Sequence, residues 1–294
     1  MLSRIKGNSL FHRLMKRHDI NKAYAMVGPE DSWYDTITTV HNSVAKIHGL
    51  PHESLEILSH DGLKLRGLWY PGDSKKTMIW VHGYTSHAER ESAFPGLFYH
   101  SLGFNVLIPY LRAHGPSQGN YLSFGPMEDL DIMKWVDLVN GRIPDGQILI
   151  HGLSMGGGIV LDLATREMKN VKALLSDAPS VTVEGIFRNV AREMFQKDAD
   201  AIGEAAICRY KKEFAVDPAD FDRVKNIEKC LYPLLITAGS NENMDEILLA
   251  IKKRNPKDTT VLILPGCNHG NGMYKQTELY QTAIREFINR NFSD

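Results

Sequence analysis

The chain has 294 residues, of which 43% are hydrophobic, 23% charged and 9% aromatic. This composition is ordinary for a globular protein and excludes a wholly disordered chain, a collagen and a disulfide scaffold. The 34 basic and 35 acidic residues leave a formal net charge of -1, so no global field favours nucleic acid or an anionic membrane. The three cysteines form no CxxC pair, and no apolar run reaches the roughly 18 residues that span a bilayer. Without a secretory signal pattern either, the sequence predicts a cytoplasmic protein.

The N-terminal segment is unusually basic. Lysine and arginine alternate with leucine, isoleucine and phenylalanine over residues 1–22, which predicts an amphipathic helix. Such a helix lies on a membrane surface or packs its apolar stripe on the body of the protein, and we favour packing because such stripes usually face a core. Gly28-Pro29 ends this segment, and a second helix is expected from about Ser32 to Lys46. We assign residues 1–50 to an N-terminal helical segment.

After residue 50 the pattern changes to strands. Leu55 and Ile57, followed by a His-Asp-Gly turn and the alternating run Leu63–Trp69, predict an opening β-hairpin. Six further apolar runs predict strands buried on both faces of a parallel sheet, and helical patterns lie between them. The order indicates an α/β fold with helices on both faces of the sheet. The strand runs are Met78–Val81, Phe104–Ile108, Gln147–Ile150, Val171–Leu175, Pro233–Ile236 and Thr260–Leu264, and the helical stretches are Ala88–Leu102, Met127–Asn140, Ser154–Met168, Met244–Arg254 and Lys275–Asn291.

One stretch interrupts this alternation. Between Pro179 and Cys230 the sequence has no convincing strand pattern. Three helical patterns occur there instead: Val183–Phe195, Ala199–Phe214 and Pro218–Ile227. About fifty residues exceed an ordinary crossover connection, so residues 179–230 are predicted to form a helical insertion between two core segments, 51–178 and 231–294. Methionine and aromatic residues in the stretch 183–214 lead us to expect that this insertion shapes a substrate pocket.

The first chemical motif is Gly152-Leu153-Ser154-Met155-Gly156, which has the form G-x-S-x-G. It lies between a predicted strand and a predicted helix that opens with Gly157-Gly158. A nucleophile elbow needs this context, because the flanking glycines permit a sharp turn and leave the hydroxyl accessible. The alternative is a glycine-rich turn that cradles a phosphate, but neither G-x-G-x-x-G nor G-x-x-x-x-G-K-[ST] is present. We therefore predict that Ser154 is a nucleophile.

A serine nucleophile needs a base and a carboxylate that orients the base. The last predicted strand runs into a glycine-rich loop with His269, which can reach the serine across the carboxyl edge of the sheet. The preceding strand runs into a loop with Glu242, placed where an acid would orient the histidine. The order Ser154, Glu242, His269 is nucleophile, acid, base. Asp245, about one helical turn further on, and Asp177, after the strand before, are alternative acids.

These motifs, in this order, resemble the α/β-hydrolase superfamily in its bacterial branch of serine esterases and serine-aminopeptidase-like proteins. The resemblance covers about Leu55 to Phe292, and its further marks are His82-Gly83-Tyr84-Thr85 and the segment Arg112–Ser117. It implies the α/β-hydrolase fold, a mostly parallel eight-stranded sheet with the helical insertion as a cap over the site. It also implies an oxyanion hole formed by the backbone N–H groups of Tyr84 and Met155.

The chain departs from the pattern of this family at two places. Relatives commonly have Asp-x-Arg-Gly-His-Gly where this chain has Tyr110-Leu111-Arg112-Ala113-His114-Gly115, a segment that is usually structural. The usual acid of the triad is aspartate, and the Val-Pro that often follows it is missing here. The longer side chain of Glu242 must retract to orient the imidazole. These departures bear on the identity of the acid and leave the expected fold unchanged.

No motif predicts a metal or a cofactor. His48 and His52 are four residues apart, but Pro51 argues against a helix between them. The sequence has no H-E-x-x-H and no His/Cys cluster with zinc spacing. We therefore expect neither group.

Two other features are ambiguous. Cys267, in the loop of the candidate base, is either a second nucleophile or, more commonly for such residues, a buried free thiol. Four aromatic residues either line an apolar acyl pocket or belong to the core. They are Tyr84, Phe94, Tyr121 and Phe124.

Together these observations predict a soluble, cytoplasmic serine hydrolase that cleaves esters of small or medium acyl groups through an acyl-enzyme on Ser154. Amide or peptide hydrolysis and acyl transfer are alternatives with the same mechanism. A catalytically silent hydrolase fold that binds a ligand or partner is an alternative of another class, and membrane-surface binding through residues 1–22 is a further one. A small-molecule ester is the expected partner. The sequence assigns neither substrate-binding residues nor an oligomeric state.

Overall fold

The computed structural model describes residues 2–19, 30–31, 33–253 and 258–293. These residues form an eight-stranded sheet in the order β1-β2-β4-β3-β5-β6-β7-β8. The strands are β1 (Glu53–Leu58), β2 (Lys64–Tyr70), β3 (Lys76–Val81), β4 (Asn105–Pro109), β5 (Gln147–Leu153), β6 (Val171–Asp177), β7 (Leu234–Gly239) and β8 (Thr259–Leu264). β2 pairs antiparallel with β1 and β4, and all other neighbouring strands pair parallel. The predicted mostly parallel, eight-stranded sheet is confirmed.

Helices connect the strands, as the alternating patterns predict. They are α1 (Leu2–Met15), α2 (Ile37–His48), α3 (Ala88–Ser101), α4 (Glu128–Arg142), α5 (Met155–Leu163), α6 (Val183–Phe195), α7 (Ala199–Phe214), α8 (Arg223–Glu228), α9 (Asp245–Lys253), α10 (Gly272–Lys275) and α11 (Thr277–Asn291). A short 3₁₀ turn, Tyr34–Thr36, precedes α2. The expected break at Gly28-Pro29, the expected helix start at Ser32 and the expected helix end at Arg254 lie outside the described residues.

The sheet separates two apolar clusters. Along β3, Ile79 and Val81 belong to one cluster, and Met78 and Trp80 belong to the other. Because successive side chains of a strand point to opposite faces, the two clusters lie on opposite faces of the sheet. The first cluster contains residues of α1, α4, α5, α6 and α7, and the second contains residues of α2, α3 and α11. The strands read as continuous apolar runs because both faces are covered.

Helix α1 packs against α7. A Cβ on Gly7 would lie 2.4 Å from the Cβ of Ala205, so glycine is required for this close approach. The buried apolar residues of the helix are Leu10, Phe11, Leu14 and Met15. Leu2 and Ile5, nearer the N-terminus, are 62% and 59% exposed. The apolar stripe therefore packs on the body of the protein, and none of the helices among the described residues has the length and apolarity of a membrane span.

The connection between β6 and β7 contains α6, α7 and α8 and is joined to the core by a buried ion pair. Arg223, the first residue of α8, lies 2.8 Å from Asp162 of α5, measured from Nη2 to Oδ2. The guanidinium also donates to the Ser180 hydroxyl at 2.6 Å and to the Phe124 carbonyl. Both charged side chains are almost fully buried. The division of the chain into an N-terminal segment, a core and an insertion stays a prediction.

Candidate active site

Ser154 lies at the turn between β5 and α5. Its backbone has φ 59° and ψ -112°, a conformation that residues other than glycine rarely adopt. The flanking glycines are required by contact. A Cβ on Gly152 would lie 2.2 Å from the Gly156 carbonyl oxygen, and a Cβ on Gly156 would lie 1.8 Å from the Val81 carbonyl oxygen. The turn is therefore as tight as the G-x-S-x-G pattern predicts.

Two further loops bring His269 and Glu242 to this serine. His269, after β8, has its Nε2 2.8 Å from the Ser154 Oγ and its Nδ1 2.6 Å from the Glu242 Oε2. Glu242, after β7, accepts the Gly239 N–H with its other oxygen at 2.8 Å. The long carboxylate thus folds back onto its own loop. Its hydrogen bond and its charge raise the pKa of His269, because both favour the imidazolium.

The two alternative acids have other hydrogen-bond partners. Asp177 is buried at the end of β6, and its Oδ2 accepts the Tyr280 hydroxyl at 2.8 Å. Burial raises the pKa of Asp177 to about 6. Asp245 is exposed at the start of α9, and its N–H donates to the Asn243 Oδ1 at 3.0 Å. Of the three candidate acids, Glu242 is the one hydrogen-bonded to His269.

The turn after β3 passes beside the nucleophile. A Cβ on Gly83 would lie 3.5 Å from the Cβ of Ser154, and Tyr84 lines the same cavity as that serine. Met155 is the first residue of α5, so its N–H has no acceptor within the helix. The two amides predicted as oxyanion donors therefore belong to the residue that follows the nucleophile and to a residue that lines the same cavity.

Glu91, a buried acid that sequence reasoning missed, holds this turn. Both of its carboxylate oxygens accept the Gly83 N–H, at 3.0 and 3.1 Å, and Oε1 also accepts the Trp80 indole N–H at 3.0 Å. Burial raises the pKa of Glu91 to about 7. A sequence signal exists: Glu91 follows Ala88 by three residues and precedes Pro95 by four, which is the spacing of the buried face of α3.

A cavity of about 530 Å³ opens beside Ser154 and His269. Its lining is mostly apolar and includes Leu153, Tyr84, Tyr274 and residues of the segment 33–41. None of its lining residues, all in the described part of the chain, lies in 183–214. The expectation that this stretch shapes the pocket is therefore wrong. The reason is topological, since α6 and α7 pack with α1 on the face of the sheet opposite α2.

The aromatic candidates have different environments. Tyr84 lines the cavity, and Phe94 packs against Tyr274, another lining residue, with ring centroids 5.1 Å apart. Phe124 stacks on Tyr84 at 4.8 Å, and Tyr121 packs against Phe11 of α1. One of the four candidates thus contributes directly to the cavity.

Cys267 is a buried free cysteine. Its Sγ lies 3.5 Å from the Pro265 carbonyl oxygen. Burial raises the pKa of the thiol, which disfavours the thiolate that a nucleophile requires. The structure agrees with the buried-thiol interpretation.

One group of side chains has the composition of a metal site. The ligand atoms of His60, Asp61 and Asp131 lie within 4.8 Å of one another. Arg112 is buried between the two carboxylates, 2.9 Å from Asp61 and 2.7 Å from Asp131. Its guanidinium neutralises the charge that a cation would need, so the group is an ion-pair network.

Ala113, where the family pattern has glycine, has a φ of 60°.

Comparisons with known proteins bear on the fold and the family. Residues 72–202 match the family model described as serine aminopeptidase, S33. A multifunctional-autoprocessing repeats-in-toxin of Vibrio cholerae is 36% identical over 110 residues, which are 36% of this chain and 2% of the toxin. The chain thus spans a very small part of that relative. An esterase structure from Pyrococcus furiosus has a TM-score of 0.68 at 22% identity, over 84% of this chain and 94% of the esterase.

A second solved structure covers more of the chain. An alpha-beta hydrolase from Vibrio vulnificus has a TM-score of 0.63 at 22% identity, over 97% of this chain and 93% of that one. At such identities the likeness establishes the fold alone. The strand order of the sheet and the turn at Ser154 agree with that fold. With the family-model match over residues 72–202, these findings confirm the resemblance, and the chain has the α/β-hydrolase fold.

Proposed function

We propose that this protein is a serine hydrolase that cleaves carboxylic esters of small or medium acyl groups through an acyl-enzyme on Ser154. One observation carries the proposal. His269 lies 2.8 Å from the Ser154 Oγ and 2.6 Å from the Glu242 carboxylate, at a turn with a strained serine backbone. Such a series of hydrogen bonds activates a hydroxyl that is a weak nucleophile on its own.

In the first step, the Ser154 Oγ attacks the ester carbonyl carbon and its proton passes to the His269 Nε2. The Nδ1–H of the imidazolium donates to Glu242, which stabilises the positive charge. The tetrahedral oxyanion accepts hydrogen bonds from the N–H groups of Tyr84 and Met155, and each such donor contributes about 3 kcal/mol. The ester C–O bond then breaks, and the alcohol leaves with the proton from His269.

In the second step, water attacks the acyl carbon and gives its proton to the His269 Nε2. The Ser154–acyl bond breaks, the serine oxygen takes back the proton, and the carboxylic acid leaves. Glu242 holds the same tautomer of His269 in both steps, because its Oε2 accepts from Nδ1. The imidazole thus acts once as a base and once as an acid in each step.

Labelling with a fluorophosphonate tests the proposal. We expect one adduct by intact mass, mapped to Ser154, and none in Ser154→Ala, whose kcat for an ester falls about 10³-fold or more. Ser54→Ala, at an exposed position of β1, is the matched control and should label like the wild type. An unlabelled but well-folded wild type would contradict the proposal and favour a silent fold that binds a ligand.

Amide or peptide hydrolysis is a second candidate, favoured by the match of residues 72–202 to a serine aminopeptidase model. The same three residues would act, with an amine as the leaving group. Comparing kcat/KM for an ester and an anilide of the same acyl group separates the two candidates. We expect the ester to be preferred, and a preference for the anilide would reverse the order.

A partner and a cellular location complete the proposal. A small-molecule ester is the partner that we propose. The esterase among the similar structures supports this substrate class by analogy only. A cytoplasmic location is proposed from the sparse cysteines, and fractionation of the source cells would test it.

A further inference from the structure

The N-terminal segment forms one wall of the cavity, and this wall takes no part in the reaction steps at Ser154. This wall comes from the 3₁₀ turn before α2 and the first turns of that helix. The apolar lining residues there are Trp33, Ile37 and Val40, which we call the α2 wall. The polar lining residues of the same segment are Thr36 and His41. The α2 wall offers apolar surface to any molecule bound at Ser154.

The far end of α2 is fixed to α3. Ile47 is buried, and a Cβ on Gly96 would lie 3.0 Å from its Cδ1, so the two helices touch at a glycine. His48 Nε2 lies 2.5 Å from the Glu89 Oε2. Helix α3 also carries Glu91, which accepts the Gly83 N–H in the turn after β3. One helix therefore positions both the α2 wall and that turn.

The near end of the α2 wall contacts the loop of the candidate base. The indole of Trp33 packs edge to face on Tyr274, with ring centroids 5.7 Å apart. A Cβ on Gly270, the residue after His269, would lie 3.2 Å from the Trp33 Cζ2. The Asp31 carboxylate accepts the Trp33 N–H at 2.9 Å. Trp33 thus has a defined position next to the reacting groups.

The cavity has the chemistry of an acyl site. Ser154 and His269 supply its reactive polar groups, and the α2 wall and Leu153 supply apolar surface. The other polar lining residues are Thr85, Ser86, Arg90 and Glu91. A mostly apolar cavity of about 530 Å³ has the size of a small-molecule site and exceeds what an acetyl group fills.

We propose that the α2 wall binds the acyl chain and that Trp33 and Ile37 set the acyl length, with esters of medium-length, unbranched apolar acids as the substrate class. The proposal rests on the proposed ester hydrolysis at Ser154. It assigns specificity to the N-terminal segment, because the helices α6 and α7 contribute nothing to the cavity lining. The chain length of the substrate is then read by residues far in sequence from the reacting groups.

Two substitutions with opposite effects test this proposal on p-nitrophenyl acetate, butyrate, octanoate and laurate. Ile37→Trp fills the cavity, so kcat/KM for octanoate should fall about tenfold more than kcat/KM for acetate. Trp33→Ala enlarges the cavity and should move the preferred ester from octanoate towards laurate. Tyr34→Ala is the matched control, since this neighbouring aromatic is 46% exposed and does not line the cavity.

Fluorophosphonate labelling of Ser154 in each variant separates the two proposals. If Ile37→Trp and Trp33→Ala label normally and keep the wild-type order of esters, the α2 wall does not set acyl length, and ester hydrolysis stands. If the wild type neither labels nor turns over any ester, the proposed function fails and this inference fails with it. Thermal melting checks folding, and Trp33→Phe provides a smaller truncation if Trp33→Ala does not fold.

Discussion

The carboxyl ends of the neighbouring strands β6 and β7 each present an acid, and the two acids have opposite surroundings. Glu242, after β7, binds an imidazole that is open to solvent at the cavity. Asp177, at the end of β6, is buried and accepts the hydroxyl of Tyr280. The comparison teaches that position after a strand does not decide which acid binds a histidine. What decides is the side chain that each acid contacts, which is an imidazole at Glu242 and a tyrosine hydroxyl at Asp177.

The surroundings of Asp177 form a closed network. The Tyr280 hydroxyl donates to Asp177 and lies 3.2 Å from the His151 Nε2. The other ring nitrogen, Nδ1, lies 3.0 Å from the Tyr99 hydroxyl. Burial lowers the pKa of His151 to about 3, so the ring is neutral, with one donor and one acceptor nitrogen. Nε2 then donates to Tyr280 and Nδ1 accepts from Tyr99, which leaves both nitrogens satisfied.

Among the substitutions of acids, the largest effect is expected for Glu242→Gln. The carboxylate uses one oxygen for His269 and the other for the Gly239 N–H, whereas glutamine has one acceptor oxygen and no charge. We expect kcat for an ester to fall about 10³- to 10⁴-fold with little change in KM. Steady-state kinetics measure this, and Asp245→Asn, at an exposed neighbouring acid, should stay within about twofold of the wild type. A larger loss in Asp245→Asn would identify Asp245 as the acid.

The pH profile gives this prediction a second readout. His269 must be neutral to accept the serine proton, so activity rises as the pH passes upward through its pKa. Glu242 raises that pKa, and the acid limb of the wild-type profile should therefore lie at higher pH than that of an ordinary histidine. In Glu242→Gln the limb should move to lower pH even as the maximal rate falls. An unmoved limb would mean that Glu242 does not act on the imidazole.

A smaller loss is expected at Glu91, which binds the turn after β3 and is not a hydrogen-bond partner of the imidazole. Glu91→Ala removes the acceptor of the Gly83 N–H and should lower kcat about tenfold, less than the loss of a whole oxyanion donor. Glu91→Gln keeps one oxygen for the same N–H and should restore most of the rate. Ester kinetics with thermal melting measure both variants. Equal activity in Glu91→Ala and the wild type would exclude a positioning role.

The smallest effect on activity is expected for Asp177→Asn, about threefold or less, because the carboxamide oxygen still accepts from Tyr280. The effect on stability depends on pH. The folded pKa of Asp177 is raised to about 6, so the wild type loses stability as the pH rises from about 4 through that value. Asparagine lacks this penalty, and melting curves should shift in favour of the variant over the same range. A kcat loss as large as that of Glu242→Gln would make Asp177 the working acid.

The sequence predicts the fold and the three residues that meet at the candidate site. Ser154, Glu242 and His269 each follow an apolar strand pattern within a few residues, and parallel strands end at one edge of the sheet. Chain order and strand ends are therefore enough to bring them together. The choice between Glu242 and Asp177 needs the three-dimensional structure, because the contact of Asp177 with Tyr280 leaves no pattern in the sequence.

The wall of the cavity is beyond the reach of sequence patterns for a related reason. Ile47 packs at Gly96 and places α2 on α3, while Trp33, before this helix, packs on Tyr274 and lies next to Gly270. Helical periodicity identifies which face of α2 is apolar, but it does not name the helix that covers that face. The expectation that residues 183–214 shape the pocket is wrong for the same reason. Apolar helices in a long connection pack equally well on either face of a sheet, and the sequence does not show which face they cover.

The buried Arg223 and Asp162 limit how the protein can be recombined. Asp162 belongs to α5, and its partner arrives from the β6–β7 connection, 61 residues later in the chain. In a chimera with a foreign connection, Asp162 would lose the arginine that neutralises it and remain as a buried charge. The cost in folding free energy is about 3–5 kcal/mol. The two segments are therefore exchanged safely only as a unit, although sequence alone presents them as separate modules.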